Sequence, residues 1–248
     1  MRTFKVLSAL LSYPTEDLID AAPEFLAVLD SEKLVPSACR KAVDLLIEEI
    51  AAGELYDLQE RYGLLFDRSK TLALHLFEHV HGESRDRGQA MVDLKAMYEN
   101  AGLVIAANEL PDYVPLLLEF LSTQPLASAR ELLGQTAHIL AALAERLGRR
   151  QSSYRAIFDA LVAIAEEAPR RDIVDELLKS PDTDPMDLVA LDAAWEEEEV
   201  RFGPGTQGQG ACGHEGLIAR LRHAKRAVSP APSTPAVRSE APCKRSIR

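Results

Sequence analysis

Sulfur and aromatic rings are scarce in this 248-residue sequence, which has three cysteines, one tryptophan and an aromatic share of 6%. Cys39, Cys212 and Cys243 are odd in number, far apart and in no C-x-x-C pair. That excludes the disulfide framework of a small secreted domain and fits a reducing compartment. No apolar run approaches the roughly 18 residues that a membrane-spanning helix needs. The opening MRTFKVLSALLSYPTED imitates a signal peptide with Arg2, Lys5 and a short apolar run. The run is only VLSALL, no small-residue cleavage site follows, and Pro14, Glu16 and Asp17 arrive at once. It reads as a first amphipathic helix, so a cytoplasmic protein with no direct membrane insertion is expected.

Basic residues are also in short supply until the C-terminus. From Leu217 to Arg248 there are eight Lys/Arg and one acid, whereas residues 1–216 hold 20 basic and 38 acidic residues, net −18 against −11 for the whole chain. A body this acidic repels nucleic acid and anionic lipid and favours a cationic partner. The same charge also serves as an ordinary solvated surface.

What is present is helical. Apolar residues make up 47% of the chain, with Leu and Ala dominant. Val43, Leu46, Ile47 and Ile50 form one stripe, and Met91, Leu94, Tyr98, Ala101 and Ile105 another. Leu133, Ala137, Leu140, Ala144 and Leu147 repeat the pattern, as do Ile157, Leu161 and Ile164. No alternating β-branched run competes with them. Ser128 and Glu131 have capping-box spacing, Asp184-Pro185 suits a helix start, and Gly102 suits the stop of a helix begun near Gly88. Proline-bearing loops are expected at 109–115, 122–125 and 180–185. From Gly203 the chain turns to Gly, Pro and Ser, so the expectation is one all-α domain over 1–202 and a flexible basic tail over 203–248. Leu217–Arg226 within that tail has the makings of a transient helix.

The densest chemistry lies in LHLFEHVHGESRDRGQAMVDL, Leu74 to Leu94. His75-x-x-Glu78-His79 has the spacing of the inverted zinc-peptidase signature. On a helix, both imidazoles would share a face, with Glu78 as general base and His81 as a candidate third ligand. The pattern is short, no predicted sheet forms a cleft and no downstream motif supplies a certain ligand. The following Glu83-Ser84-Arg85-Asp86-Arg87, bracketed by Gly82 and Gly88, is too polar to pack. Arginine forks grip carboxylates, and Glu78, Glu83 and Asp86 suit cations. With Phe66 and Phe77 nearby in sequence, the combination suits a groove for a basic amphipathic peptide. A surface cluster paired with itself is the plainer alternative, and Leu65 reads as core.

The run LYDLQERYGLLFDRSKTLALHLFEHVHGESRDRGQAMVDLKAMYENAGL, with ELPDYVPLLLEFLS after it, closely resembles the nitrate reductase molybdenum cofactor assembly chaperones called NarJ, within the wider TorD-like group. LLSYPTEDL and LDAAWEEEEVRF extend the likeness, which is absent from the proline-rich tail. The resemblance implies a single TorD-like helical bundle with no catalysis and no permanently bound cofactor. It implies binding to the N-terminal segment of the apo catalytic α-subunit while molybdenum cofactor and an iron–sulfur centre are inserted. Molybdenum cofactor biosynthesis proteins are further expected partners. The family's Tyr-x-x-Leu-Phe helix falls on Tyr62, Leu65, Phe66 and Asp67, and its next loop-helix on His75 through Gly88. The expected client-peptide residues are therefore Tyr62, Phe66, Asp67, His75, Phe77, Glu78, His79, Glu83, Arg85, Asp86 and Arg87. A zinc peptidase and a plain helical scaffold are the alternatives.

Overall fold

The computed structural model describes residues 1–81, 85–105 and 109–180, the side chains of 81, 85 and 86 excepted. Its helices are α1 (Arg2–Leu10), α2 (Glu16–Asp20), α3 (Ala22–Glu32), α4 (Ser37–Ala52), α5 (Leu55–Tyr62), α6 (Glu78–His81), α7 (Arg85–Asn100), α8 (Val114–Thr123), α9 (Leu126–Arg149), α10 (Arg155–Ile164) and α11 (Arg171–Leu177). A π-helical turn at Gly63–Asp67 continues α5, and a 3-10 turn follows at Lys70–Leu72. Among the described residues there is no strand, only an isolated bridge between His75 and Tyr113. The fold is all-α. The expected boundary at 202, the tail and Asp184-Pro185 lie outside the described residues.

The stripes read from the sequence become the core. Val43, Leu46, Ile47 and Ile50 of α4 are fully buried; α10 packs on α4, and its Ile157, Phe158 and Leu161 join the same core. α9 runs antiparallel against α10 behind it, burying Leu133, Ala137, Leu140 and Leu147. α1 packs against α8, and the Ser8 hydroxyl donates to the Pro115 carbonyl at 2.7 Å between them. The carboxylate of Glu32, ending α3, accepts from the Arg2 and Thr3 amides at 2.8 Å, satisfying donors that α1 leaves free at its start.

Three boundaries depart from expectation. α7 stops at Asn100, so Ala101 and Ile105 lie beyond it. Gly102, at φ +80°, turns left-handed there; its N–H donates to Glu99 and the Leu103 N–H to Tyr98, which is a Schellman stop. The 122–125 loop shrinks to Gln124-Pro125, because Ser122 and Thr123 finish α8. Ser128 does not cap: α9 starts two residues earlier, with Pro125 fixing the entry and its carbonyl accepting from Ala129.

α9 also buries a charge. Arg146, only 3% exposed, donates to the Thr71 carbonyl at 2.7 Å and the Leu177 carbonyl at 2.6 Å. It thereby holds the 3-10 turn and the end of α11 to the long helix.

The core around α10 makes a direct test of this packing. Phe158 is fully buried there, and Phe158→Ala should lower unfolding free energy by about 3–5 kcal/mol, through lost apolar burial and the cavity left behind. Urea denaturation followed by circular dichroism measures this, and a loss under about 1 kcal/mol would contradict the packing described.

Candidate functional site: an acidic, tyrosine-lined cavity

Between α5 and α8 the chain changes direction several times, and a cavity of about 220 Å³ forms there, lined by Tyr13, Tyr62, Phe66, Asp67, Leu74, His75, Glu109 and Tyr113. Its first wall is the end of α5. The π turn after Tyr62 is closed by an i→i+5 bond from the Arg68 N–H to the Gly63 carbonyl at 3.0 Å. The wider turn lets Phe66 and Asp67 both follow Tyr62 on the cavity side, where an α-helix would align Phe66 alone. The rings lock together: Tyr62 and Phe66 centroids are 4.9 Å apart, and Tyr13 meets Tyr62 edge-on at 5.6 Å. Phe66 in turn meets the buried Tyr154 edge-on at 5.2 Å.

The second wall is a pair of short non-helical segments joined by an isolated bridge. Val114 N–H donates to Leu74 at 2.8 Å, and Leu76 N–H donates to Asp112 at 3.1 Å, placing His75 opposite Tyr113. Asp112 is wholly buried. One of its carboxylate oxygens accepts from the Phe77 N–H at 3.0 Å and the other lies 3.3 Å from His75 Nδ1. Tyr62 closes the corner, its hydroxyl donating to the Leu11 carbonyl at 2.8 Å and lying 3.3 Å from the Tyr113 hydroxyl.

Electrostatics follow from burial. Loss of water pushes the Tyr62 and Tyr113 phenols above their ordinary values, so both stay neutral hydrogen-bonding groups. Desolvation also raises the Asp67 carboxyl. The hydrogen bond that His75 donates to Asp112 raises the His75 pKa, against the opposing effect of burial, with the Asp112, Glu78 and Glu109 charges adding to the rise. His79 goes the other way, because burial disfavours its cation. Its Nε2–H donates to the Ala73 carbonyl at 2.8 Å.

These positions remove the basis of the zinc reading. His75 lies at an isolated bridge, before α6 begins at Glu78, so His75 and His79 do not sit on successive turns of one helix. His75 Nδ1 faces Asp112 and His79 Nε2 is occupied by a carbonyl. Among the described residues no group of three or more His, Cys, Asp or Glu could hold a metal; the His81 side chain is outside them.

The expected client residues divide. Tyr62, Phe66, Asp67 and His75 share the cavity. Phe77, 2% exposed, lines a separate apolar crevice with Leu76, Leu94, Met97 and Leu117. Glu78 is paired with Arg87 at 3.3 Å, and His79 is turned inward. The side chains of Glu83, Arg85 and Asp86 lie outside the described residues. Tyr13, Leu74, Glu109 and Tyr113 were not singled out from the sequence, although SYP and ELPDYVP stood inside the quoted resemblance and carried the signal.

Comparison with known proteins places this architecture. The nitrate reductase delta subunit family model matches residues 32–160. The nitrate reductase molybdenum cofactor assembly chaperone NarJ of Escherichia coli K12 is 40% identical over 225 residues, 91% of this chain and 93% of the relative. The chain belongs to this family. A probable chaperone of the same kind, NarW of Escherichia coli K12, is 42% identical over 82% of this chain and 84% of its own. A probable NarJ of Bacillus subtilis 168 is 31% identical over 70% of this chain and 93% of its own. These relatives are named for assembly, not catalysis. Among the described residues no helix is long and apolar enough to cross a membrane.

The two histidines give a pH signature. By NMR, His75 should titrate above the ordinary 6.5 and His79 below it. His75 then contributes stability that is complete below the ordinary value and is lost as pH rises through its folded pKa. The neutral His79 weakens the fold as pH falls below the ordinary value. Asp112→Asn should bring His75 down, since burial then acts with less opposition. Equal titration of the two imidazoles at the ordinary value would contradict both environments.

Proposed function

We propose that this protein is a chaperone for a nitrate reductase catalytic subunit, and that the tyrosine-lined cavity receives the N-terminal segment of that subunit in its apo form. The observation that carries the reading is the pairing of two carboxylates, Asp67 and Glu109, with four aromatic rings in one cavity on an acidic body. A volume of about 220 Å³ suits a side chain rather than a helix. The client segment would lie across the mouth as a basic amphipathic helix and send one cationic side chain inward. Its methylene stem would pack on Tyr62 and Phe66 while its charge meets Asp67 and Glu109. Desolvation already raises the Asp67 carboxyl, and an incoming cation offsets that penalty.

On this reading the molybdenum cofactor is cargo for the client and not a resident group. The chaperone holds the subunit, in the cytoplasm, in a form that accepts molybdenum cofactor and an iron–sulfur centre before membrane docking. Molybdenum cofactor biosynthesis proteins would meet the complex rather than the free chaperone. The domain spans 1–202 and the remainder is a tail. A plain scaffold, the competing reading, has no use for a cavity that concentrates two acids beside aromatic rings.

Calorimetric titration with a peptide copied from the N-terminus of the nitrate reductase catalytic subunit tests this. Asp67→Asn and Glu109→Gln should each weaken binding by about 3- to 10-fold, as expected for partly exposed charge-assisted contacts of roughly 1 kcal/mol. Both should also flatten its dependence on salt. Phe77→Ala should chiefly lower stability, by about 3–5 kcal/mol, because the ring is a core element outside the cavity. Undiminished affinity in both acidic-site variants would move the client elsewhere, and no binding by the wild type would sink the reading.

A further inference from the structure

The basic counterpart to this cavity is present in the chain itself. LIARLRHAKR, Leu217 to Arg226, places Leu217, Ile218 and Leu221 at helical spacing among Arg220, Arg222, Lys225 and Arg226. It has no acidic residue, while the body before it carries net −18. Its pattern of a short apolar stripe flanked by cations is the chemistry that the cavity, with Asp67 and Glu109 beside Tyr13, Tyr62, Phe66 and Tyr113, is built to receive. Reach does not forbid it. With the domain proposed to end at 202, residues 203–216 form the tether and can extend to about 45–50 Å, comparable to the width of a domain this size.

We infer that Leu217–Arg226 docks across the mouth of the cavity of its own chain, sends one cationic side chain inward and competes there with the client segment. The inference rests on the cavity being the client site, but its first readout does not. A tether turns the encounter into an intramolecular one, with an effective concentration on the order of 1 mM. A segment with weak intrinsic affinity then keeps the site partly filled, and a client of higher affinity displaces it. The empty chaperone thus shields its aromatic cavity, and occupancy by the wrong basic peptide is suppressed.

The test uses the full chain carrying R220Q, R222Q, K225Q and R226Q together. In NMR spectra, the amide signals of Tyr13, Tyr62, His75 and Tyr113 should differ between this variant and the wild type. A synthetic peptide spanning 215–228 added to the variant should return them toward the wild-type positions. With Asp67→Asn and Glu109→Gln also present, the tail substitutions should move nothing further. The client peptide should bind the tail variant about 3- to 10-fold more tightly than the wild type, the gain expected when a weak tethered competitor at about 1 mM is removed. Cavity signals identical in wild type and variant would overturn the inference, as would differences that appear only at high protein concentration, which would mean insertion into a second copy. Signals that move while the client peptide binds neither protein would leave self-occupancy standing and defeat the client reading instead.

Discussion

A fully buried carboxylate has to be satisfied by its surroundings, and Asp112 dictates the local structure for that reason. Its partners, the Phe77 amide and His75 Nδ1, both come from a segment distant in sequence. Once those contacts form, the register of Leu74–Phe77 against Asp112–Val114 is fixed, and the two backbone bonds flanking Asp112 and Tyr113 fall into place. Tyr113, next to Asp112, is then delivered to the cavity opposite Tyr62. One carboxylate thus positions a histidine, a tyrosine and a wall of the site without touching anything bound there. Removing its charge alters His75; removing its oxygens strands an amide, a loss of about 1–3 kcal/mol.

The helical bundle supplies the fixed frame for this arrangement. Arg146 of α9 grips Thr71, a few residues before the bridged segment, and Asp112 grips its far end at Phe77. A chain restrained at both ends, with Leu72, Leu74 and Leu76 buried between, would have little freedom to lose on binding the proposed peptide. That favours affinity, because ordering a binding surface is one of the main penalties of association. The π turn serves the same purpose from the other wall. It places an acid and an aromatic ring side by side at the end of a helix whose preceding turns are packed.

How far the sequence could be read depended on how local each signal was. The stripes of α4, α9 and α10 were legible because helical periodicity is a property of neighbouring residues. Gly102 was legible as a stop because only a few residue types accept its conformation. The Ser128 capping box misled because Pro125, three residues earlier, already set the entry of α9. Tyr62, Phe66, Asp67 and His75, named through a resemblance, line the cavity, whereas Tyr13, Glu109 and Tyr113 line it without having been named. Those three reach the cavity through contacts across the fold, such as Tyr13 on Tyr62 and Tyr113 on His75, which no window of sequence contains. The H-x-x-E-H match failed for a related reason. Its meaning depends on a helix, and the demands of Asp112 keep His75 outside one.

The same geometry explains why residues suited to catalysis do something else here. A general base needs a lone pair facing a substrate and a pKa poised near the working pH. His79 spends its N–H on a carbonyl and is buried, and His75 is drawn toward its cationic form by a carboxylate behind it. Tyr62 and Tyr113 are held neutral. What remains exposed at the cavity is the carboxyl groups of Asp67 and Glu109 and the faces of aromatic rings, which on the proposed reading would recognise a cation and leave its bonds alone. Such contacts are individually modest and weaken with salt, so a partner held by them can also be let go. For a protein whose relatives are named as assembly chaperones, release would matter as much as capture on the proposed reading, and a cavity for one side chain would meet both demands better than a deep groove.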